Sequence, residues 1–318
     1  MIVREQSGFY WVEVPDQDNK IYQTRLRGKL MEQAQSSDIA AIGDRVTIQL
    51  SENEDLDNIA TIIRVAPRTS VLSRAVRTTG NRGAGARERE QVLIANADQA
   101  LFVFAATHPT PNFRLLDRLL ISGEASHIAH LMIVVNKIDL TAVDIIEAHF
   151  LPYSRMGYDM LYTSARTGEN INTLKATLKG NISLFTGPSG VGKTSLLNAI
   201  QPGLGRAVKE VSRVHKEGIH TTRDSALIKL DVGGYLADTP GIRNLNIWNM
   251  EPEELDGYMP DIAEYVPNCR FNNCTHVSEP GCAVRQAVKD GIVAKRRYKH
   301  YLILREELQD ALAVGWNS

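Results

Sequence analysis

The chain has 318 residues, 43% of them apolar and 23% charged, with a formal net charge of −1. That is room for two or three domains with a buried core, in the composition of a soluble globular protein. No apolar stretch approaches the length of a membrane span, and the first residues, MIVREQSGFYW, lack a signal-peptide apolar segment, so a cytoplasmic protein with no membrane partner is expected. The near-zero charge balance gives no global argument for nucleic-acid binding. The three cysteines all fall between positions 269 and 282, which points to metal rather than to a disulfide frame.

Residues 1–66 read as a small β-domain. Short strand-like runs, Phe9 to Val14, Ile21 to Gly28, Arg45 to Leu50 and Asn58 to Val65, are separated by polar turns, which suits an OB-fold-like barrel. The aromatics Phe9, Tyr10, Trp11 and Tyr22, with Arg25, Arg27 and Lys29 nearby, form either an RNA-binding face or simply core beside a solvated face. With 7 Lys/Arg against 11 Asp/Glu, the segment's charge does not favour the first. Residues 67–90 hold six Arg against two Glu, with Gly80, Gly83 and Gly85, and read as a flexible basic connector, either a plain linker or one that orders on a phosphate backbone.

From residue 91 to about 245 the pattern is α/β. Strands are expected over Ala100 to Ala106, Leu131 to Val135 and Met160 to Tyr162, with helices over Phe113 to Ser122, Ala142 to Phe150 and Asn170 to Leu178. The apolar run Ile182 to Phe185 then leads into Gly187-Pro188-Ser189-Gly190-Val191-Gly192-Lys193-Thr194 and a helix-like stretch, Ser195 to Ile200. Strand, glycine loop and helix is the setting of a phosphate-binding P-loop: glycines let backbone N–H groups turn inward, and the helix dipole favours the anion. Lys193 can reach the β- and γ-phosphates and the Thr194 hydroxyl can ligate Mg²⁺. Next come a hairpin around Gly233-Gly234 and Asp238-Thr239-Pro240-Gly241.

The other motifs specify guanine. In Asn136-Lys137-Ile138-Asp139, Asp139 can accept from N1–H and the exocyclic amine of guanine, whereas adenine would leave that carboxylate desolvated and unpaired. Asn136 can bind the base edge and tie its loop to the P-loop, the Lys137 stem can cover the ring, and backbone N–H groups at Ser164-Ala165 can meet guanine O6. Asp238 stands where a second Mg²⁺ carboxylate belongs, and the Gly241 N–H can sense the γ-phosphate. The usual order is P-loop, switch I, DxxG, NKxD, SAK. Here NKxD and the SAK-like element come first, so the GTPase is circularly permuted, cut between the switch II element and the strand before NKxD. The DxxG segment therefore leads straight into whatever lies C-terminal.

That is residues 246–318, which carry Cys269-x₄-Cys274-x-His276-x₅-Cys282, a closed Cys₃His set for one structural Zn²⁺. The polar segment around it makes no core alone, so metal would supply folding energy. Val284 to Arg305 carries seven Lys/Arg, including Lys295, Arg296, Arg297 and Lys299, against Asp290 alone. This is either a solvated helix face or one that tracks phosphates.

These motifs, in this order over the whole chain, resemble the ribosome small subunit-dependent GTPase A family, the RsgA or YjeQ circularly permuted GTPases. The resemblance implies binding to the small ribosomal subunit and its rRNA late in maturation. It implies a GTP-to-GDP hydrolase stimulated by the subunit, with hydrolysis coupled to release. It carries nucleotide contacts over to Asn136, Lys137, Asp139, Ser164 and Gly187 through Ser195, including Ser189, Gly190, Val191 and Gly192, and zinc to Cys269, Cys274, His276 and Cys282. In Gly218-Ile219-His220-Thr221-Thr222-Arg223 the family's basic residue before the His and its third Thr are missing, so the switch I ligand of Mg²⁺ is Thr221 or Thr222. Arg166 replaces the usual Lys after Ser-Ala.

Ile242 stands where many GTPases place a water-orienting Gln, and it can make no hydrogen bond. The catalytic set is then Lys193, Thr194 and His220, the last either accepting a bond from the attacking water or only stabilising its loop. A monomer is expected. The competing reading is a nucleotide-gated protein-interaction switch with no nucleic-acid partner.

Overall fold

The computed structural model describes residues 1–31, 38–51, 58–77, 88–208, 225–238 and 250–316. Strands β1 (Ile2–Gln6), β2 (Phe9–Val14), β3 (Lys20–Leu26), β4 (Val46–Leu50) and β5 (Ile59–Val65) lie in the order β1-β2-β3-β5-β4. Only the β3–β5 pair is parallel, which gives the Greek-key connectivity of an OB-like barrel. Ile2 N–H donates to Asp44 O and Gly43 N–H to Ile2 O, drawing the approach to β4 against β1. Sequence reasoning missed β1, whose Arg4, Glu5 and Gln6 hide the apolar pair Ile2-Val3.

The period-two alternation of β2 and β3 divides the aromatics. Tyr10, Val12 and Tyr22 are buried in the barrel. Phe9 and Trp11 lie half-buried on the other face, with the Arg25 guanidinium 4.2 Å over the Phe9 ring and that of Arg4 4.8 Å over Trp11. Of the four aromatics considered for a binding face, Tyr10 and Tyr22 are therefore core.

The stretch 67–90, expected to be a flexible connector, is ordered over most of its described part. Val71–Arg77 (β6) and Glu88–Ala95 (β7) pair antiparallel, with Leu72, Val92, Leu93 and Ile94 buried. Arg68 donates twice to Asp44, at 2.9 and 2.8 Å. The arginine count described composition, but burial of the intervening apolar residues decides the structure.

The GTPase unit runs β8 (Gln99–Ala105), α2 (Phe113–Ala125), β9 (His130–Asn136), α3 (Val143–Arg155), β10 (Asp159–Thr163), α4 (Ile171–Leu178), β11 (Ile182–Thr186), α5 (Lys193–Ile200), β12 (Ser225–Lys229) and β13 (Tyr235–Asp238), following a single helical turn, α1 (Gly28–Met31), in the barrel. Every residue of β8 is buried, as a central parallel strand requires. The order β10-β9-β8-β11-β13-β12 is parallel up to β13, and β12 runs antiparallel. β1 pairs with β12 through Arg4↔Ala226 and Glu5↔Ser225, so barrel and GTPase unit share one eleven-stranded sheet.

The C-terminal unit contains short helices and a long one, Lys295–Trp316. Its core of Met250, Leu255, Met259, Ile262, Val284, Tyr301 and Leu304 also takes in Ile121 from α2. Beside it lies a buried polar network. Arg297 is 1% exposed and bonds Asp117 of α2 at 2.6 Å and both oxygens of Asp261 at 2.7 and 3.1 Å. Asp117 also accepts from the Tyr153 hydroxyl at 2.7 Å and pairs with His300. Arg296 lies 3.6 Å over the Phe113 ring and donates to His149 O. These two arginines therefore form neither a solvated nor a phosphate-tracking face: the buried Asp117 and the partly buried Asp261 take the Arg297 charge, and an aromatic ring occupies Arg296. Lys289, Lys295 and Lys299 are the exposed cations of this region.

Arg297→Met should cost about 3–5 kcal/mol of stability, because it takes the guanidinium from the fully buried carboxylate of Asp117. Urea unfolding measures it, and an unchanged midpoint would make the network dispensable.

Candidate nucleotide and metal sites

The P-loop, the NKID loop and the TSA loop follow β11, β9 and β10, so all three emerge at the carboxyl ends of parallel strands, where open α/β sheets bind ligands. β11 is central, which puts Gly187 through Thr194 in the middle of that edge. Two glycines there are demanded by close approach. A Cβ on Gly187 would sit 2.0 Å from Val103 O, and one on Gly192, at φ +94°, would sit 2.4 Å from Asn136 Nδ2. The loop borders a cleft of about 680 Å³ whose lining includes Lys137, Ser189, Lys193, Thr194, Ser195 and, from α2, Leu119. The donor set and the bare-backbone cradle fit a nucleotide's phosphates. Lys193 Nζ lies 2.6 Å from Gly187 O and 2.5 Å from Pro188 O, holding its ammonium over the loop. Val191 is buried beneath it.

Asn136 is 1% exposed and joins all three loops. Its Nδ2 donates to Val191 O at 2.9 Å, and its Oδ1 accepts the Ala165 N–H at 3.2 Å. Lys137 takes a left-handed backbone, and its Nζ donates to Gly190 O at 2.7 Å and His108 O at 2.6 Å. Asp139 is held at both oxygens: Oδ1 accepts the Ser164 hydroxyl at 2.6 Å, and Oδ2 lies 3.7 Å from the Arg166 guanidinium. The Ser164 hydroxyl in turn accepts the Thr167 N–H. The backbone N–H groups expected to face guanine O6 have internal partners, Ser164 with Glu169 O and Ala165 with Asn136 Oδ1. Asp238 closes β13. Its side chain, and all of His220, Thr221, Thr222 and Gly241, lie outside the described residues.

The four metal-ligand candidates converge with their ligand atoms within 4.8 Å of one another. Cys269 Sγ is 3.9 Å from Cys282 Sγ, and His276 Nδ1 is 3.6 and 3.4 Å from those two sulfurs. A tetrahedral zinc with bonds of about 2.3 Å to sulfur needs edges of roughly 3.8 Å, so the set fits the ion. Sequence spacing did not show what orients the imidazole. Asp256 Oδ2, 3.0 Å from His276 Nε2, takes its N–H and leaves Nδ1 facing the sulfurs. Burial pushes the Cys274 thiol up to about 12. Burial also raises the Cys282 thiol, whereas backbone and neighbouring-thiol hydrogen bonds outweigh burial and lower Cys269; a divalent cation among them would favour the thiolate at all three.

Comparison with known proteins agrees with this arrangement. The RsgA GTPase family model matches residues 65–248, and the RsgA N-terminal domain model matches residues 1–55. This chain belongs to the RsgA GTPase family. Curated relatives called small ribosomal subunit biogenesis GTPase RsgA, from Gemmatimonas aurantiaca and Moorella thermoacetica, are each 39% identical, over 96% of both chains. Among solved structures, YjeQ from Thermotoga maritima matches at TM-score 0.75 and 33% identity over 97% of both chains. YloQ, a circularly permuted GTPase, matches at TM-score 0.72 and 32% identity over 98% of this chain and 94% of its own. The RsgA-family chain is thus a GTP hydrolase, with the circular permutation that its motif order implied.

If the Cys₃His set holds zinc, Cys274→Ser should release about one equivalent of metal to a colorimetric chelator and loosen residues 268–283, while GTP affinity stays within about twofold. Unmodified protein that carries no stoichiometric zinc when prepared without chelator would remove the metal.

Proposed function

We propose that this RsgA-family chain hydrolyses GTP on the small ribosomal subunit late in maturation, with the subunit stimulating turnover and hydrolysis driving release. The observation that carries the reading is the convergence of a guanine-type NKID loop and a P-loop on one sheet edge, in a chain whose barrel and metal-binding unit pack against the same GTPase unit. The names of the curated relatives support the choice of partner. Asp139 reads the base, Lys193 and Thr194 hold phosphate and Mg²⁺, and Asp238 with Thr221 or Thr222 completes the ion's shell. The Cys₃His set holds one zinc. The protein works as a cytoplasmic monomer, and no helix among the described residues is long and apolar enough to cross a membrane.

Two surfaces suit rRNA. Phe9 and Trp11, each carrying an arginine over its ring, offer stacking planes beside positive charge. Lys289, Lys295 and Lys299 offer phosphate contacts on the C-terminal unit. The deciding experiment is GTP turnover with and without purified small subunits, with binding followed against salt. Stimulation of at least tenfold is expected, and Lys295→Glu with Lys299→Glu should reduce the salt slope by about one unit per lost contact. Turnover indifferent to subunits would favour the protein-interaction switch.

Water activation falls to His220. Phosphoryl transfer depends on positioning, so a misplaced water costs orders of magnitude in rate without affecting binding. His220→Ala should keep near-normal GTP affinity but lose most subunit-stimulated turnover and remain trapped on the subunit. Full stimulated turnover in that variant would leave catalysis to groups supplied in trans.

A further inference from the structure

Glu13 is the one buried carboxylate shared between the barrel and the GTPase sheet among the described residues. It stands near the end of β2 and is 5% exposed. Lys229 Nζ of β12 donates to its Oε1 at 2.6 Å, and the Tyr235 hydroxyl of β13 donates to its Oε2. Lys229 and Tyr235 are direct cross-strand partners, so a single side chain takes one donor from each strand of the pair. Glu13 is itself fixed: its N–H donates to Met1 O at 2.9 Å, and it pairs with Ile21 of β3.

What this grip holds matters more than how tightly. β12 begins at Ser225, directly after the segment containing His220, Thr221 and Thr222, and β13 ends at Asp238, directly before the segment containing Gly241. From Tyr235 to Asp238 is three residues, about 10 Å of strand. The backbone ladder across the seam between barrel and GTPase unit is two residue pairs, Arg4↔Ala226 and Glu5↔Ser225, over an apolar core that Ile2 and Val12 share with Leu227 and Ala237. So short a ladder specifies register weakly, whereas a slip in either strand would strip a desolvated carboxylate of a donor. An ion pair whose lysine is half exposed contributes little stability, so setting register is its better-supported use.

We infer that Glu13 is a positioning residue for partner-stimulated hydrolysis. It clamps β12 and β13 to the barrel, so that occupation of the barrel bears on the strands leading to the segments expected to carry the switch residues. The inference rests on the proposed reading that a partner stimulates turnover, and it adds the route. It also predicts coupling in the reverse direction, because binding linkage is reciprocal: the nucleotide should alter the barrel's β1 with no partner present.

Both directions can be measured on the full chain. Amide exchange of residues 2–6 is compared between GDP and a non-hydrolysable GTP analogue, and basal and subunit-stimulated turnover are measured for the unmodified protein, Glu13→Gln and Tyr235→Phe. Tyr235→Phe removes one oxygen and keeps the ring, so it guards against simple misfolding. The expected result is at least a threefold nucleotide-dependent difference in β1 exchange, lost in both variants. Basal turnover should stay within twofold while stimulated turnover falls at least tenfold, and Lys229→Arg, which keeps a cation within reach, should retain stimulation. Exchange at β1 that is the same with either nucleotide, or full stimulation in both variants, overturns the inference. If subunits fail to stimulate the unmodified protein, the ribosomal reading falls, and the exchange comparison still decides whether the clamp couples barrel and nucleotide.

Discussion

The site depends on the side-chain amide of Asn136. Its donor end holds the P-loop at Val191, 55 residues away in sequence, and its acceptor end holds the TSA loop at Ala165, 29 residues away. An amide presents a donor and an acceptor in fixed relation, so it sets the distance between phosphate and base loops in a way no carboxylate or hydroxyl would. Gly192 is glycine for the same reason: a Cβ there would collide with the Asn136 Nδ2 that makes the first of these bonds. Buried at both ends, the amide carries a desolvation penalty for any shift of either loop.

That bond also explains why permutation is tolerated. Cutting and rejoining the chain changes which loop is made first but leaves the order β10-β9-β8-β11-β13-β12 intact, and with it the carboxyl-edge arrangement of the loops. What changes is the neighbour beyond β13, because the chain now runs on into the C-terminal unit. α2 binds that unit from two sides. Leu116 and Leu119 belong to the GTPase core, Ile121 to the C-terminal core, and Asp117 between them carries the Arg297 charge. The helix that walls the nucleotide cleft is thus also part of the C-terminal core.

The regular elements were legible because burial on one or both faces imposes periods that survive in sequence. β8 reads as an apolar run, and β2 alternates so that Tyr10 and Val12 go in while Phe9 and Trp11 do not. The candidate nucleotide and metal residues could be named from sequence because their chemistry needs particular side chains at short spacing. Long-range pairing of charge was not. Arg297 sits in a run of basic residues that looks like solvated surface, and its partner Asp117 lies 180 positions away. Glu13 looked like one more acid in an acidic segment, and its partners lie 216 and 222 positions away. Composition counts charges without saying which are desolvated, and only the fold decides that. The hairpin of β6 and β7 escaped for a related reason: the arginines and glycines of the stretch 67–90 hid the apolar residues, Leu72 and Ile94 among them, that the hairpin buries.

These buried pairs share one consequence for how the molecule can respond. The segment that begins Thr239-Pro240-Gly241 leaves β13, which Glu13 ties to the barrel, and it rejoins described structure at Met250, buried in the C-terminal core. From there Asp256, six residues on, reaches His276 of the Cys₃His set. A structural metal makes such a module a fixed body, because the ion's binding energy is folding energy. The segment expected to sense the γ-phosphate therefore joins units that differ in surface, aromatic and arginine-bearing on one side and lysine-bearing on the other. If the Cys₃His set holds zinc, rigid attachment at Glu13 and at the metal would let a local phosphate contact change the relative position of the domains.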